Sequence, residues 1–341
     1  MVIVMQQGAA ASQVEVVIDA VQQQGFTAFV NPGVQRKVIA VLGVVDAVKV
    51  SLVEKFEAYE GVEKVTLISE PYKLSARSYH PEGTVVEVGG VKIGGPEVVV
   101  IGGPCSVESR EQVLETAHAV KAAGGKLLRG GAFKPRTSPY SFQGLGQEAL
   151  EILAEAREQT GLPIVTEILD PDDLAMVSEF TDVYQVGARN MSNFRLLQRL
   201  GRTNKPVLLK RGPSAKLRDM LQAAEYVMVE GNHQVILCER GIIAFDDATR
   251  NTTDINAIPV LKQWSHLPAI LDPSHSTGYT RYVTPIARAG VAAGADGLIV
   301  EVHPDPSKAL SDGSQALKPE QFRQLVEQCG RIAQAVDRYI G

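Results

Sequence analysis

The sequence predicts an α/β protein: a (β/α)8 TIM barrel with a small ferredoxin-like βαββαβ domain at its N-terminus. Three observations predict it. From residue 97 onward, short continuous apolar runs alternate eight times with helical stretches. That beat is the mark of parallel strands buried on both faces and covered by helices. Residues 1–70 carry a different order, four apolar runs split by two helical stretches. Finally, the charged and metal-capable side chains of the longer part fall just after the apolar runs, where a barrel of this kind builds its site.

The elements follow in order. Residues 2–5 are apolar, and Val14, Val17, Ile18 and Val21 then recur at helical spacing until Gly25 closes the stretch. Residues 26–30 and 37–42 form a strand pair around Asn31-Pro-Gly33, followed by a helix near 51–59 and a strand over 62–68. This is the split βαβ order. It holds no catalytic constellation, so residues 1–70 are expected to be a regulatory or assembly module. Residues 71–82 are expected to be a linker. Residues 85–88 and 91–93 flank Gly89-Gly90 as a hairpin at the base of the next domain, so 71–96 forms linker and hairpin and 97–341 the barrel. Barrel strands are expected at 98–101, 127–128, 164–165, 183–186, 207–209, 235–238, 269–271 and 298–300. Helices are expected at 109–123 and 147–160, the latter turning Leu150, Leu153 and Ala154 inward. Eight units over this span match the usual size of a (β/α)8 barrel. The runner-up is an open doubly wound sheet, but no GxGxxG follows the first strand.

Composition narrows the function. The chain has 341 residues, 45% of them hydrophobic, enough for a sizeable core. Its 34 basic and 39 acidic residues give a net charge of −5, against a nucleic-acid or acidic-membrane binder. Any anion site must come from locally clustered cations. Cys105, Cys238 and Cys329 are odd in number and form no CxxC pair, which suits a reducing, cytoplasmic setting. No leader-like N-terminus and no apolar stretch of membrane-spanning length is visible.

The strand ends carry the chemistry. Cys105 follows the first strand; Arg129, Lys134, Arg136 and Thr137 the second; Glu167 the third; Arg189 the fourth; Lys210 the fifth; Arg240 the sixth; His275 and Ser276 the seventh; Glu301 and then Asp312 the eighth. The run RGGAFKPRTSP over 129–139 is the richest of these, with three cations, two hydroxyls and no acid. Its Arg-Thr-Ser offers a planar fork and two hydroxyl donors, which suits a phosphate. Arg129, Lys134, Arg136, Arg189, Lys210 and Arg240 together form a cation set that is costly to bury without a strongly anionic ligand. Cys105, His275, Glu301 and Asp312 form a second set, a thiol, an imidazole and two carboxylates. That mixture of soft and hard donors points to Mn²⁺, Fe²⁺, Co²⁺ or Zn²⁺ rather than Ca²⁺ or Mg²⁺. Cys238 and Cys329 are expected to pack. His80, His118, His233, His266 and His303 are expected to be structural or on the surface, with His303 near enough to support the metal ligands.

Four motifs in order, KPRTSPYSFQG at 134–144, QVGARN at 185–190, LLKRG at 208–212 and DPSHS at 272–276, resemble those of the 3-deoxy-D-arabino-heptulosonate 7-phosphate (DAHP) synthases. The resemblance covers essentially the whole chain and is to the type I-beta branch, which carries an N-terminal ferredoxin-like domain. It implies a metal-dependent transferase that condenses phosphoenolpyruvate with D-erythrose 4-phosphate at the entry to the shikimate pathway. It implies Cys105, His275, Glu301 and Asp312 as metal ligands. Arg189, Lys210 and Arg240 would hold phosphoenolpyruvate with Arg129 and Lys134 close by, and Arg136, Thr137 and Ser276 would receive the phosphate of erythrose 4-phosphate. Lys134, Cys105 and His275 would carry the catalysis, with Lys134 or a water donating the proton. An aromatic amino acid effector at the N-terminal domain and a homotetramer are also implied. The nearest rival is the sister 3-deoxy-D-manno-octulosonate 8-phosphate synthase, which uses arabinose 5-phosphate. Its loop typically reads KANR where this chain has KPRT. A rival from another class is an idle sugar-phosphate sensor, or a scaffold for a partner such as chorismate mutase.

Overall fold

A computed structural model describes residues 1–31, 36–44, 49–67, 71–136 and 138–341. Pro32 and Gly33 of the expected turn, Ile68 of the expected strand and Thr137 lie outside the described residues. The rest forms two compact units, Met1–Thr84 with Gln263–His266, and Val85–Lys262 with Leu267–Gly341.

In the first unit, strands β1 (Val2–Met5), β2 (Thr27–Asn31), β3 (Val38–Leu42) and β4 (Val62–Thr66) make an antiparallel sheet in the order β2-β3-β1-β4. Helices α1 (Ala11–Gln23) and α2 (Lys49–Glu57) complete the βαββαβ order. Val14, Val17 and Val21, three and four apart, lie on one face of α1 and join Ile3, Met5, Ile39, Val41 and Phe56 in the core. Residues 71–82, expected as a linker, are held by hydrogen bonds within this unit. Ser265 Oγ donates to Ser75 O (2.6 Å), and Arg77 N–H donates to Trp264 O (2.8 Å).

The second unit opens with hairpin β5 (Val86–Val88) and β6 (Val91–Ile93). Gly89 and Gly90 both take positive φ, 54° and 85°, as a two-residue hairpin turn requires. Eight parallel strands then close into a barrel: β7 (Val99–Gly103), β8 (Leu127–Arg129), β9 (Ile164–Glu167), β10 (Val183–Val186), β11 (Val207–Lys210), β12 (Val235–Glu239), β13 (Ala269–Leu271) and β14 (Gly297–Glu301). Between and after them run α3 (Arg110–Ala122), α4 (Gln147–Thr160), α5 (Leu174–Phe180), α6 (Phe194–Gly201), α7 (Leu217–Met228), α8 (Ala257–Trp264), α9 (Pro273–Thr277), α10 (Thr280–Ala292) and α11 (Pro319–Ala335). On α4, Leu150 and Leu153 are buried as expected. Ala154 is only half-buried, and Ile152 and Ala156 complete the inward face.

Val86, Val88 and Ile93 of the hairpin pack with Val99, Leu127, Val165, Leu208, Ile236 and Ile299 in one core. These are early residues of their strands, so the hairpin stoppers the N-terminal end of the barrel. Cys238 joins the same core, and Cys329 is fully buried in α11. Several strands run further than their apolar runs, so Arg129, Glu167, Lys210, Glu239 and Glu301 are terminal strand residues. Their backbones are thus fixed by the barrel while their side chains reach its C-terminal mouth. No helix among the described residues is long and apolar enough to cross a membrane.

Candidate active site

The barrel closes the four soft and hard donors into one cluster. Ligand atoms of Cys105, His275, Glu301 and Asp312 all lie within 4.8 Å of one another. Cys105 is brought there by a backbone turn after β7. Gly103 has φ +148°, and a Cβ there would stand 1.9 Å from Arg129 O, so only glycine lets this strand end press against β8. The Cys105 Sγ is 3.3 Å from Asp312 Oδ2 and accepts hydrogen bonds from Lys134 Nζ and Ser311 Oγ, both at 3.0 Å. Asp312 itself sits in the left-handed region, φ 54°, a conformation costly for a non-glycine residue and often retained at functional positions.

His275 is oriented from behind. Asp272 caps α9, its Oδ1 accepting the His275 backbone N–H (2.9 Å) and its Oδ2 the ring Nδ1–H (2.7 Å). An ionised carboxylate only accepts, so the proton sits on Nδ1 and the Nε2 lone pair faces the cluster. Nε2 is 3.3 Å from Glu301 Oε1 and 3.9 Å from Asp312 Oδ2. Glu301 is clamped by Arg129 (2.6 Å) and by Gln315 Nε2 (2.7 Å).

The electrostatics suit a cation. Burial pushes the Glu301 carboxyl up, but His275 (once protonated at low pH), Arg129 and Lys134 outweigh it and hold the group down at about 2. Burial, and then the Glu301 charge, push the Cys105 thiol up to about 12 despite Lys134 and Arg129. Coordination to a metal ion deprotonates such a thiol outright. The donors present therefore fit a divalent transition metal.

The depressed Glu301 value makes a pH prediction. A carboxyl whose folded value lies below its unfolded 4.5 contributes stability above that pH and loses it as pH falls towards about 2. Glu301→Gln is expected to flatten the loss of thermal stability between pH 4.5 and 2 relative to the parent, read from melting curves in metal-free buffer. Parallel curves would remove Glu301 as a source of that dependence.

Beside the cluster lies a cavity of about 600 Å³ whose lining includes seven cations: Arg129, Lys134, Arg136, Arg189, Lys210, Arg240 and Arg250. His275 and Asp312 also line it, so the cluster opens onto the cavity. Two donors there are buried without a partner among the described residues, Arg129 Nε and Arg136 Nη2. Arg240 is only 8% exposed. Burial pulls its guanidinium below the usual arginine range, Asp272 opposes that, and nearby Arg250 adds to it. Buried, underpaired cations of one sign ask for an anion. Arg189 donates to Pro135 O (3.2 Å), tying the loop after β10 to the loop after β8.

The structure thus gathers Arg129, Lys134, Arg136, Arg189, Lys210 and Arg240 around one space. Ser276 is corrected: it does not line the cavity. It is fully buried and its hydroxyl donates to Pro273 O (3.2 Å), capping the helix turn that carries His275. The serines that do line the cavity are Ser138 and Ser141. Thr137 lies outside the described residues. His303 packs against Glu108, Nε2 to Oε2 3.3 Å, and accepts from Asp305 N–H, bracing the loop that leads to Asp312. Sequence reasoning missed Arg250, Asn251, Ser311 and Gln315. Arg250 meets Asp312 Oδ1 at 3.3 Å and Asn251 donates to His275 O at 3.0 Å, yet both sit mid-loop, where no strand end marks them. Asp272 was visible within DPSHS but had no assigned task.

Comparison with known proteins gives a consistent answer. Residues 73–337 match the family described as the DAHP synthetase I family, and residues 1–70 match the DAHP synthase ferredoxin-like domain. The chain is 48% identical over 336 residues to the phospho-2-dehydro-3-deoxyheptonate aldolase of Thermotoga maritima, covering 98% of each. The crystal structure of that Thermotoga maritima aldolase (DAHP synthase) superposes with a TM-score of 0.79 at 47% identity, covering 100% of this chain and 99% of that one. A 2-dehydro-3-deoxyphosphooctonate aldolase of Syntrophobacter fumaroxidans is more distant, 35% identical over 71% of this chain and 89% of its own length.

Proposed function

The chain belongs to the DAHP synthetase I family, and from that premise we propose how its barrel mouth performs the condensation of phosphoenolpyruvate with D-erythrose 4-phosphate to DAHP and inorganic phosphate. The observation that carries the residue assignments is the seven-cation cavity opening onto the four-donor cluster. Two phosphates and a carboxylate are the charges such a lining would neutralise.

Arg189, Lys210 and Arg240 hold the phosphate and carboxylate of phosphoenolpyruvate, with Arg129 beside them. Arg136, with the nearby serines, receives the aldose phosphate; the unpartnered Arg136 Nη2 supports this. Thr137 is proposed for the same task from its place in the motif. Cys105, His275, Glu301 and Asp312 hold a divalent ion such as Mn²⁺, Fe²⁺, Co²⁺ or Zn²⁺. Such an ion would supply Lewis acidity at the barrel mouth.

The reaction forms a bond between C3 of phosphoenolpyruvate and the aldehyde carbon. The carbonyl electrons move to the aldehyde oxygen, which needs a proton. Burial and nearby Arg129 lower the Lys134 ammonium, but the Cys105 sulfur when ionised, Glu167 and Glu301 raise it above its usual value, so it stays charged. It is positioned as the donor. Water adds at C2, and the C2–O bond breaks to release phosphate, leaving the C2 ketone. Preorganised cations around both phosphates stabilise the charge that shifts during these steps.

A phosphate-release assay with Mn²⁺ tests the reading. Turnover is expected with erythrose 4-phosphate, little with arabinose 5-phosphate, and loss on chelation with EDTA followed by recovery on adding Mn²⁺. Activity indifferent to exhaustive chelation would overturn the metal assignment.

The ferredoxin-like unit is proposed to regulate, by binding an aromatic amino acid within a homotetramer. Deleting residues 1–70 is expected to abolish inhibition by Tyr or Phe while activity survives. A truncated form of the Thermotoga maritima DAHP synthase, aligned to 79% of this chain at a TM-score of 0.74, has been solved, which supports the experiment. Inhibition that persists in the deletion variant would remove the unit from regulation.

A further inference from the structure

One carboxylate belongs to both proposed sites. Asp272 is 1% exposed, at the end of β13. Its Oδ1 is committed to the backbone N–H of His275. Its Oδ2 accepts two strong donors at once, Lys210 Nζ at 2.6 Å and His275 Nδ1 at 2.7 Å. Lys210 lines the cavity, and Asp272 is its one hydrogen-bond partner among the described residues. His275 is a member of the donor cluster. The chain Lys210–Asp272–His275 therefore runs from the anion pocket to a metal ligand through a single oxygen atom.

We propose that Asp272 is a positioning residue that couples the two sites, so that phosphoenolpyruvate tightens the hold on the divalent ion and the ion tightens the hold on phosphoenolpyruvate. The proposal rests on the assignment of both sites made above. Two donors on one oxygen compete for its electron density. An anion in the pocket draws Lys210 Nζ towards itself and neutralises its charge. The released Oδ2 then takes a stronger hydrogen bond from His275 Nδ1–H. That pushes electron density to Nε2, the atom that faces the cluster, and improves it as a ligand. Thermodynamic linkage makes the effect reciprocal. Direct contact between substrate and ion would also couple their binding, but it would not depend on Asp272.

The test is an equilibrium Mn²⁺ titration of the full chain, followed by the electron paramagnetic resonance signal of free Mn²⁺, with and without saturating phosphoenolpyruvate. Mn²⁺ chelated by phosphoenolpyruvate alone is subtracted. In the parent, phosphoenolpyruvate is expected to tighten Mn²⁺ by about fivefold or more, the range of ordinary allosteric couplings. In Asp272→Asn, Mn²⁺ alone is expected to bind roughly 10- to 100-fold more weakly, as when other outer partners of a ligand are lost, and the phosphoenolpyruvate effect to fall within about twofold of none. Lys210→Met separates this from a packing defect. With the competing donor gone, it is expected to bind Mn²⁺ at least as tightly as the parent, with no further gain from phosphoenolpyruvate. A parent that binds Mn²⁺ without any phosphoenolpyruvate effect, an Asn variant that keeps the parental effect, or a Lys210→Met variant with weakened Mn²⁺ binding would each overturn the coupling. A parent that binds no Mn²⁺ overturns the metal assignment itself.

Discussion

Lys134→Met lowers turnover by about 100-fold or more, the contribution of a well-placed general acid, while divalent metal remains bound. Lys134 is 7% exposed, and its Nζ is fixed between the Cys105 sulfur (3.0 Å) and the Cys105 carbonyl (3.1 Å). Methionine fills nearly the same volume without a charge or a donor, so packing changes little. What disappears is the one ammonium among the described residues that touches the donor cluster and also lines the substrate cavity. The measurement is kcat together with stoichiometric metal content after gel filtration. Near-parental kcat with full metal content would take Lys134 out of the proton transfer. A loss of metal alongside activity would make its role structural, through the Cys105 sulfur it contacts.

Cys105→Ser is the second large effect. The substitution retains a small polar side chain but replaces a soft sulfur by a hydroxyl that stays protonated and binds transition metals poorly. Outer partners of metal ligands typically account for 10- to 100-fold in affinity. Loss of a ligand in the inner set is therefore expected to cost at least about 100-fold, with activity recovering only in excess Mn²⁺. Chelator competition gives the affinity, and a Co²⁺-loaded parent gives a sulfur-to-metal charge-transfer band that the variant should lack. Retention of both the affinity and the band would mean that Cys105 is only a buried neighbour.

The sequence made the barrel legible because its strands were short, mostly apolar runs and helical stretches such as 109–123 and 147–160 lay between them. The hairpin was legible from Gly89-Gly90, where two adjacent positive-φ positions leave little choice of turn. The site was legible wherever the functional residue followed an apolar run directly, as with Arg129, Lys210 and Glu301. It was illegible where a residue is set by a long loop folding back. Arg250 and Gln315 are brought together at 2.9 Å by loops after different strands, and no spacing records that closeness. Ser276 shows the opposite failure. The family resemblance implied it as a phosphate ligand, but the helical turn of α9 rotates it into the interior. Residues 71–82 looked like a linker because they lack periodicity. Their hydrogen bonds run to residues 263–266, nearly two hundred positions away in the chain.

The hairpin stopper has a consequence for traffic. With Val86, Val88 and Ile93 packed against the early strand residues, the cavity opens at the opposite, C-terminal mouth of the barrel. Lys210 and Arg240 are nearly sealed from solvent while Ser138 and Ser141 stand exposed at the rim. A molecule seated against Lys210 and Arg240 would therefore lie beneath whatever binds beside Ser138 and Ser141.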